Sequence, residues 1–154
     1  MRVAIIGQQA FGKKVLEAFL DRGDGVAAVF CAPTKPGARP DPLAEATRER
    51  GVALHQLPSL RGPEAATALR AANVDIAIMA YVLQFAPQSI AQIPTHGTIC
   101  YHPSLLPTYR GPSSINWPII RGDTQTGLTI FRPSDGLDEG PIVLQKTVDI
   151  GPDD

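Results

Sequence analysis

Val26-Ala27-Ala28-Val29-Phe30-Cys31 is an unbroken apolar run of six residues. A strand of that composition is buried on both faces, which is the habit of parallel sheets covered by helices on each side. Reading outward, Arg2 to Ile6 is a second strand, and Gly7 to Gly12 turns into a helical pattern at Lys13 to Arg22 with Val15, Leu16, Phe19 and Leu20 on one face. On the other side lies a surface loop rich in Pro, Gly and Ala, Ala32 to Pro42. A short helix at Leu43 to Arg50, a weak strand at Val52 to Gln56 and a helix at Pro63 to Ala72 with proline in its first turn come next. Asp75 to Ala80 reads as an apolar strand, Tyr81 to Ser89 as a loop, Ser89 to Ile93 as at most one helical turn, and Thr98 to Tyr101 as another strand. A helix is expected around Ser113 to Ile120, and strands at Gly127 to Phe131 and Ile142 to Val148 flank an acidic turn. Strand and helix in alternation predict a single α/β domain over residues 1–154, an open sheet with right-handed crossovers, parallel in its first half.

Composition narrows the function classes. Of 154 residues, 44% are hydrophobic and 19% charged, as in an ordinary globular chain. The net charge of -1 offers no basic field for nucleic acid or an anionic membrane. No apolar run reaches the roughly 20 residues that a membrane-spanning helix needs. Cys31 and Cys100 sit in apolar runs without metal-ligand spacing, so we expect no metal, reduced thiols and a cytoplasmic setting.

The first glycine loop invites a dinucleotide reading and fails it. Gly7 and Gly12 stand five apart, and Gln9 occupies the place of the glycine that lets backbone approach a pyrophosphate. The next strand ends Phe30-Cys31-Ala32, without the acidic residue that binds a ribose, and Lys14 follows Lys13 where a Walker loop has Ser or Thr. No NAD is expected; a tight strand-to-helix turn accounts for the loop.

Two features carry chemistry. His102 closes the strand at Thr98, and Pro103 and Pro107 then prevent regular pairing in a stiff loop that ends at Arg110-Gly111. Ligands of open α/β sheets bind beyond the carboxyl ends of the strands, where the loops after Ile6, Ala80 and Tyr101 are expected to share a rim. The plainer alternative is a histidine satisfied in the core or in the loop. The second feature is Ser134-Asp135-Gly136-Leu137-Asp138-Glu139-Gly140, whose carboxylates would ordinarily be solvated. Leu137 and Gly140-Pro141 are unusual for a plain hairpin and are expected to tuck the turn inward, carrying Asp138 with it. A carboxylate facing an imidazole favours its cationic form, and that cation can stabilise an oxyanion as it forms.

Taken together, Tyr101-His102-Pro103-Ser104-Leu105-Leu106-Pro107, Arg110-Gly111, Ser114-Ile115-Asn116-Trp117 and Asp135-Gly136-Leu137-Asp138 with Gly140 resemble the formyltransferase family that uses 10-formyltetrahydrofolate. Within it, the wording is most similar to the amino-terminal hydrolase domain of 10-formyltetrahydrofolate dehydrogenases, including Ile6 to Gly12, Asp41-Pro42-Leu43, Gln84-Phe85 with Pro87, and Leu144-Gln145-Lys146. The resemblance covers essentially the whole chain. It implies a Rossmann-like fold that binds folate, with 10-formyltetrahydrofolate as formyl donor. His102 would be the catalytic imidazole and Asp138 its partner, and Gln84, Phe85, Ala86 and Asp138 would line the folate pocket.

Two departures from the family pattern matter. Its transferases carry Asn two residues before the histidine, an amide donor to the oxyanion, where this chain has Cys100, a weak donor. The hydrolase branch also lacks that Asn. A nucleophilic Cys100 is disfavoured because an apolar setting raises a thiol pKa. The family also continues past residue 154 with a helix, a strand and a smaller carboxyl-terminal domain, so the chain is expected to be a fragment or a short member, with acceptor-handling parts elsewhere. The expected activity is release of the formyl group as formate or its transfer to an acceptor. The alternatives are an amine formyltransferase, acting for example on methionyl-tRNA or a sugar amine, and a catalytically weak folate-binding module.

Overall fold

The computed structural model describes residues 1–154. In chain order the elements are β1 (Arg2–Gly7), α1 (Gln9–Asp21), β2 (Gly25–Cys31), α2 (Pro42–Glu49), β3 (Ala53–Gln56), α3 (Pro63–Ala72), β4 (Ile76–Ala80), α4 (Gln88–Ala91), β5 (Thr98–His102), α5 (Asn116–Arg121), β6 (Gln125–Phe131) and β7 (Ile142–Asp149). The strand order is β3-β2-β1-β4-β5-β6-β7. This is the open α/β sheet expected from the alternation of elements. The chain resolves into two compact units, Met1–Thr98 and Ile99–Asp154, and each is described by itself.

The first unit is the parallel part. β1 pairs in parallel with β2 and with β4, and β2 with β3. Ala28, Val29, Phe30 and Cys31 are all buried as expected, whereas Val26 and Ala27 at the start of the run are only half-buried. Val3, Ile5, Leu16, Val29 and Leu43 are sealed from solvent and form one cluster between the sheet, α1 and α2. Each such side chain contributes roughly 1.5–3 kcal/mol by leaving water. α3 matches its expected limits at both ends. Pro63 stands in the first turn, and Asn73 ends the helix in the left-handed region at φ 46°.

The largest departures from the expected boundaries are at the starts of two helices; the others shift by one or two residues. α1 begins at Gln9, not Lys13, because Gln9 itself makes the turn at φ 61°. Its backbone N–H donates to both oxygens of Asp41, at 3.0 and 2.9 Å. Gly12 therefore lies inside the helix, where a Cβ would come within 2.9 Å of the Leu43 side chain. α5 begins at Asn116, not Ser113, because Ser113 is left-handed at φ 61° and belongs to the preceding turn.

β1 and β4 end level, with Gly7 opposite Ala80, so the loops that follow them share a rim. The strand order reverses around this pair, since β2 lies on one side of β1 and β4 on the other. A Cβ at Gly7 would run into the Ala80 carbonyl oxygen.

The second unit is antiparallel throughout. Cys100, Tyr101 and His102 pair with Phe131, Ile130 and Thr129 of β6, and β6 pairs with β7 from Gln125–Asp149 to Phe131–Ile142. Gly127 is buried in β6, where a Cβ would strike the Leu105 side chain and the Lys146 carbonyl oxygen. Leu105 thereby packs directly over the strand.

Gly7→Ala is expected to lose about 1–3 kcal/mol of stability, because the new methyl meets a backbone carbonyl that cannot rotate away. Chemical denaturation checks this; an unchanged midpoint would show that the two strand ends separate freely.

Candidate active site

The residues around His102 are held by a ladder of polar side chains within the second unit. Thr129 lies opposite His102 on β6 and opposite Gln145 on β7. Its hydroxyl donates to the Ser104 carbonyl at 2.7 Å and accepts from the Leu106 N–H at 3.1 Å and the Gln145 amide at 3.0 Å. The same amide nitrogen donates its second hydrogen to the Leu106 carbonyl at 2.9 Å. The Thr129 hydroxyl and the NH2 of Gln145 are thus used to capacity in tying down the loop after β5. Ser104, fully buried, closes the next turn by donating to the Thr108 carbonyl at 2.6 Å. The Leu106–Pro107 peptide bond in this loop is cis.

That loop returns its backbone to the histidine. Tyr109 is left-handed at φ 53°, and its carbonyl lies 2.7 Å from Nε2 of His102, which is 5% exposed. A carbonyl only accepts, so Nε2 carries a hydrogen and Nδ1 is the atom turned to chemistry. Nδ1 lies 3.5 Å from Oδ2 of Asp138. The same carboxylate oxygen accepts the Gly111 N–H at 2.6 Å. The ring is therefore set between the Tyr109 carbonyl and the Asp138 carboxylate.

Asp138 reaches this place through the acidic turn, where it is left-handed at φ 46°. The Ser134 N–H and hydroxyl both meet the Glu139 carbonyl, at 2.8 and 3.0 Å, and Arg132 N–H donates to the Pro141 carbonyl at 2.9 Å. Gly140 is required at φ 140°, since a Cβ there would collide with the Arg132 carbonyl. The turn does carry Asp138 inward, but not by burying Leu137, which remains 68% exposed. Of the residues expected to tuck the turn inward, Gly140 and Pro141 take part, through a backbone angle and an accepting carbonyl, while hydrogen bonds do what was expected of Leu137.

Cys100 and His102 stand two apart on β5 and so project from the same face. The thiol lies 3.6 Å from the Tyr101 carbonyl. Burial first, and the charge of Asp138 second, push its pKa up to about 12. It is neither an activated nucleophile nor a strong donor.

Gln84, Phe85 and Ala86 belong to the first unit, in the loop after β4. Gln84 donates through its amide to the Leu57 carbonyl at 3.0 Å, Phe85 lies under the Arg61 guanidinium at 4.9 Å, and Ala86 is buried. Val82, Leu83 and Gln84 line a narrow crevice of about 10 Å³ against Ile6, Gly7 and Gln8. A larger open cavity of about 770 Å³ lies beside Gln8, Gln9, Lys35, Arg39, Asp41 and Glu45, and neither His102 nor Asp138 lines it. The carboxylate of Asp41 holds the first turn of α1 and also accepts the Leu43 N–H at 2.8 Å, capping α2. A negative group therefore already sits where a phosphate would approach α1. No group of three or more His, Cys, Asp and Glu side chains is placed to hold a metal ion.

Sequence reasoning missed Tyr109, Gly111 and Thr129. Tyr109 and Gly111 act through backbone atoms, which leave no side-chain signature, and Thr129 looks like any strand threonine.

The formyl transferase family model matches residues 1–154. The chain is 40% identical over 159 aligned residues to mitochondrial 10-formyltetrahydrofolate dehydrogenase of Homo sapiens, covering all of this chain and 17% of that protein. It is 37% identical to methionyl-tRNA formyltransferase of Trichlorobacter lovleyi, covering 99% of this chain and 50% of that one. The chain thus spans half or less of the length of these curated relatives. Among solved structures, phosphoribosylglycinamide formyltransferase of Bacillus halodurans superposes with a TM-score of 0.84 at 24% identity, over all of this chain and 82% of that one. A formyltetrahydrofolate deformylase of Pseudomonas syringae pv. tomato gives 0.81 at 18%, over 99% and 52%. These superpositions show the shared fold.

Both thiols are held well above their ordinary range, Cys31 at about 11 by burial above all and Cys100 at about 12. At pH 8 they are expected to react with iodoacetamide at least ~100-fold more slowly in the folded protein than after denaturation. Equal rates would show an accessible thiolate.

Proposed function

The chain belongs to the formyl transferase family, and on that premise we propose that it takes 10-formyltetrahydrofolate as formyl donor and releases or transfers the formyl group through His102 and Asp138. The single observation that carries this reading is the His102 ring held between the Tyr109 carbonyl and the Asp138 carboxylate. Folate binding by Gln84, Phe85 and Ala86 is part of the same proposal and is supported by their place in the loop after β4.

In the proposed chemistry a nucleophile, water or an amine, forms a bond to the formyl carbon. The carbonyl electron pair moves onto oxygen. Asp138 accepts a hydrogen bond from the nucleophile and takes up the proton that the nucleophile loses as its bond to carbon forms, while Nδ1–H of His102 faces the developing oxyanion. Collapse of the adduct breaks the bond to N10, which leaves with a proton supplied by His102. Tetrahydrofolate and formate, or a formylated amine, are the products. Hydrolysis and transfer share every one of these groups and differ only in the nucleophile.

A second reading, a catalytically weak folate-binding module, is favoured by Cys100. The position holds a neutral thiol where the family's transferases place an amide donor, and one missing donor of that kind costs on the order of 100-fold in rate. Tight binding of a folate analogue without turnover would establish this module.

The deciding experiment incubates the protein with 10-formyltetrahydrofolate, with and without amines, and follows tetrahydrofolate and formate. Formate without an amine identifies a hydrolase; product only with an amine identifies a transferase. His102→Ala and Asp138→Asn are each expected to lower turnover about 100-fold or more at unchanged folding. Full activity in His102→Ala would overturn the assignment.

A further inference from the structure

We propose that Asp123 and Arg121 are positioning residues that act on His102 through Tyr109. The proposal rests on the reading that places His102 in the chemistry. Tyr109 decides which ring nitrogen works, because its carbonyl engages Nε2 at 2.7 Å and so leaves Nδ1 facing Asp138. The carbonyl points that way only while Tyr109 keeps its left-handed backbone, φ 53°, which a tyrosine does not adopt without support.

The support comes from the side chain. The phenol donates a hydrogen bond to Oδ2 of Asp123. Its ring lies under the Arg121 guanidinium, 5.3 Å from the ring centre, and the same guanidinium lies 5.9 Å from the ring of Trp117. Asp123 is fixed in turn, its N–H donating to the Pro118 carbonyl at 2.9 Å just beyond α5. The Asp123 bond also holds the Tyr109 phenol in its protonated, donating form above the ordinary tyrosine range. The result is a mechanical chain from the end of α5, through one aromatic side chain and its own backbone, to the imidazole.

The test pairs ring nitrogen NMR of His102 with turnover of 10-formyltetrahydrofolate in Tyr109→Phe, Asp123→Ala and Asp123→Asn. Tyr109→Phe removes only a hydroxyl from a part-exposed ring, so it tests the tie even where Asp123→Ala perturbs folding. Expected are a shift of the Nε2 resonance and a fall in kcat of at least about threefold with KM unchanged in Tyr109→Phe and Asp123→Ala. Asp123→Asn keeps an acceptor oxygen and is expected to recover part of both. An unchanged ring spectrum in Tyr109→Phe overturns the proposal whatever the rate. A shifted spectrum with unchanged kcat in an active enzyme also overturns it. If the unaltered protein releases no formyl group at all, the catalytic reading fails, and the ring spectrum alone still decides whether Asp123 sets the tautomer.

Discussion

The Thr129 hydroxyl makes three hydrogen bonds inside the second unit, one given and two received. It stands opposite His102 in the antiparallel register and satisfies a carbonyl and an N–H of the loop that follows. Buried backbone groups left without partners cost about 1–3 kcal/mol each, so this loop is held by electrostatic necessity as well as by shape. Leu105 adds to it by lying over Gly127, where no other residue leaves room. Side chains of β6 and β7 thus fix the loop's backbone, and the loop's backbone fixes the side chains of the site. Tyr109 offers its carbonyl to His102, and Gly111 offers its N–H to Asp138.

Much of the fold was legible because it depends on local composition. The run at Val26 announces a strand hidden on both faces, and Pro63 and Asn73 bracket α3 by the backbone angles they accept. The start of α1 was not legible, because its turn is made by Gln9 and stabilised by a carboxylate 32 residues away. Likewise, His102 and Asp138 could each be read, yet their approach depends on strand register and on backbone bonds within the turn at Ser134. Leu137 misled because an apolar residue in a turn reads as an anchor, although its solvent exposure leaves that work to hydrogen bonds.

Relatives that align with essentially the whole chain bear the names of a dehydrogenase and of a transferase acting on methionyl-tRNA. A shared fold therefore does not by itself fix the reaction. At Cys100 the strand needs only a side chain that tolerates burial, and the thiol meets that need while giving up the donor strength of an amide.

Asp41 has a consequence for how the first unit can change. One carboxylate satisfies backbone donors at the start of both α1 and α2, so a single polar group ties the first turns of two helices that also pack through the apolar cluster. The segment between Cys31 and Asp41 is mostly exposed and contributes little to the apolar cluster beneath. It is mechanically insulated: the strand before it and the helix after it are anchored independently of its path. Insertions, deletions and changes of charge can accumulate there without strain reaching the sheet, which makes this loop a place where specificity can diversify on an unchanged framework.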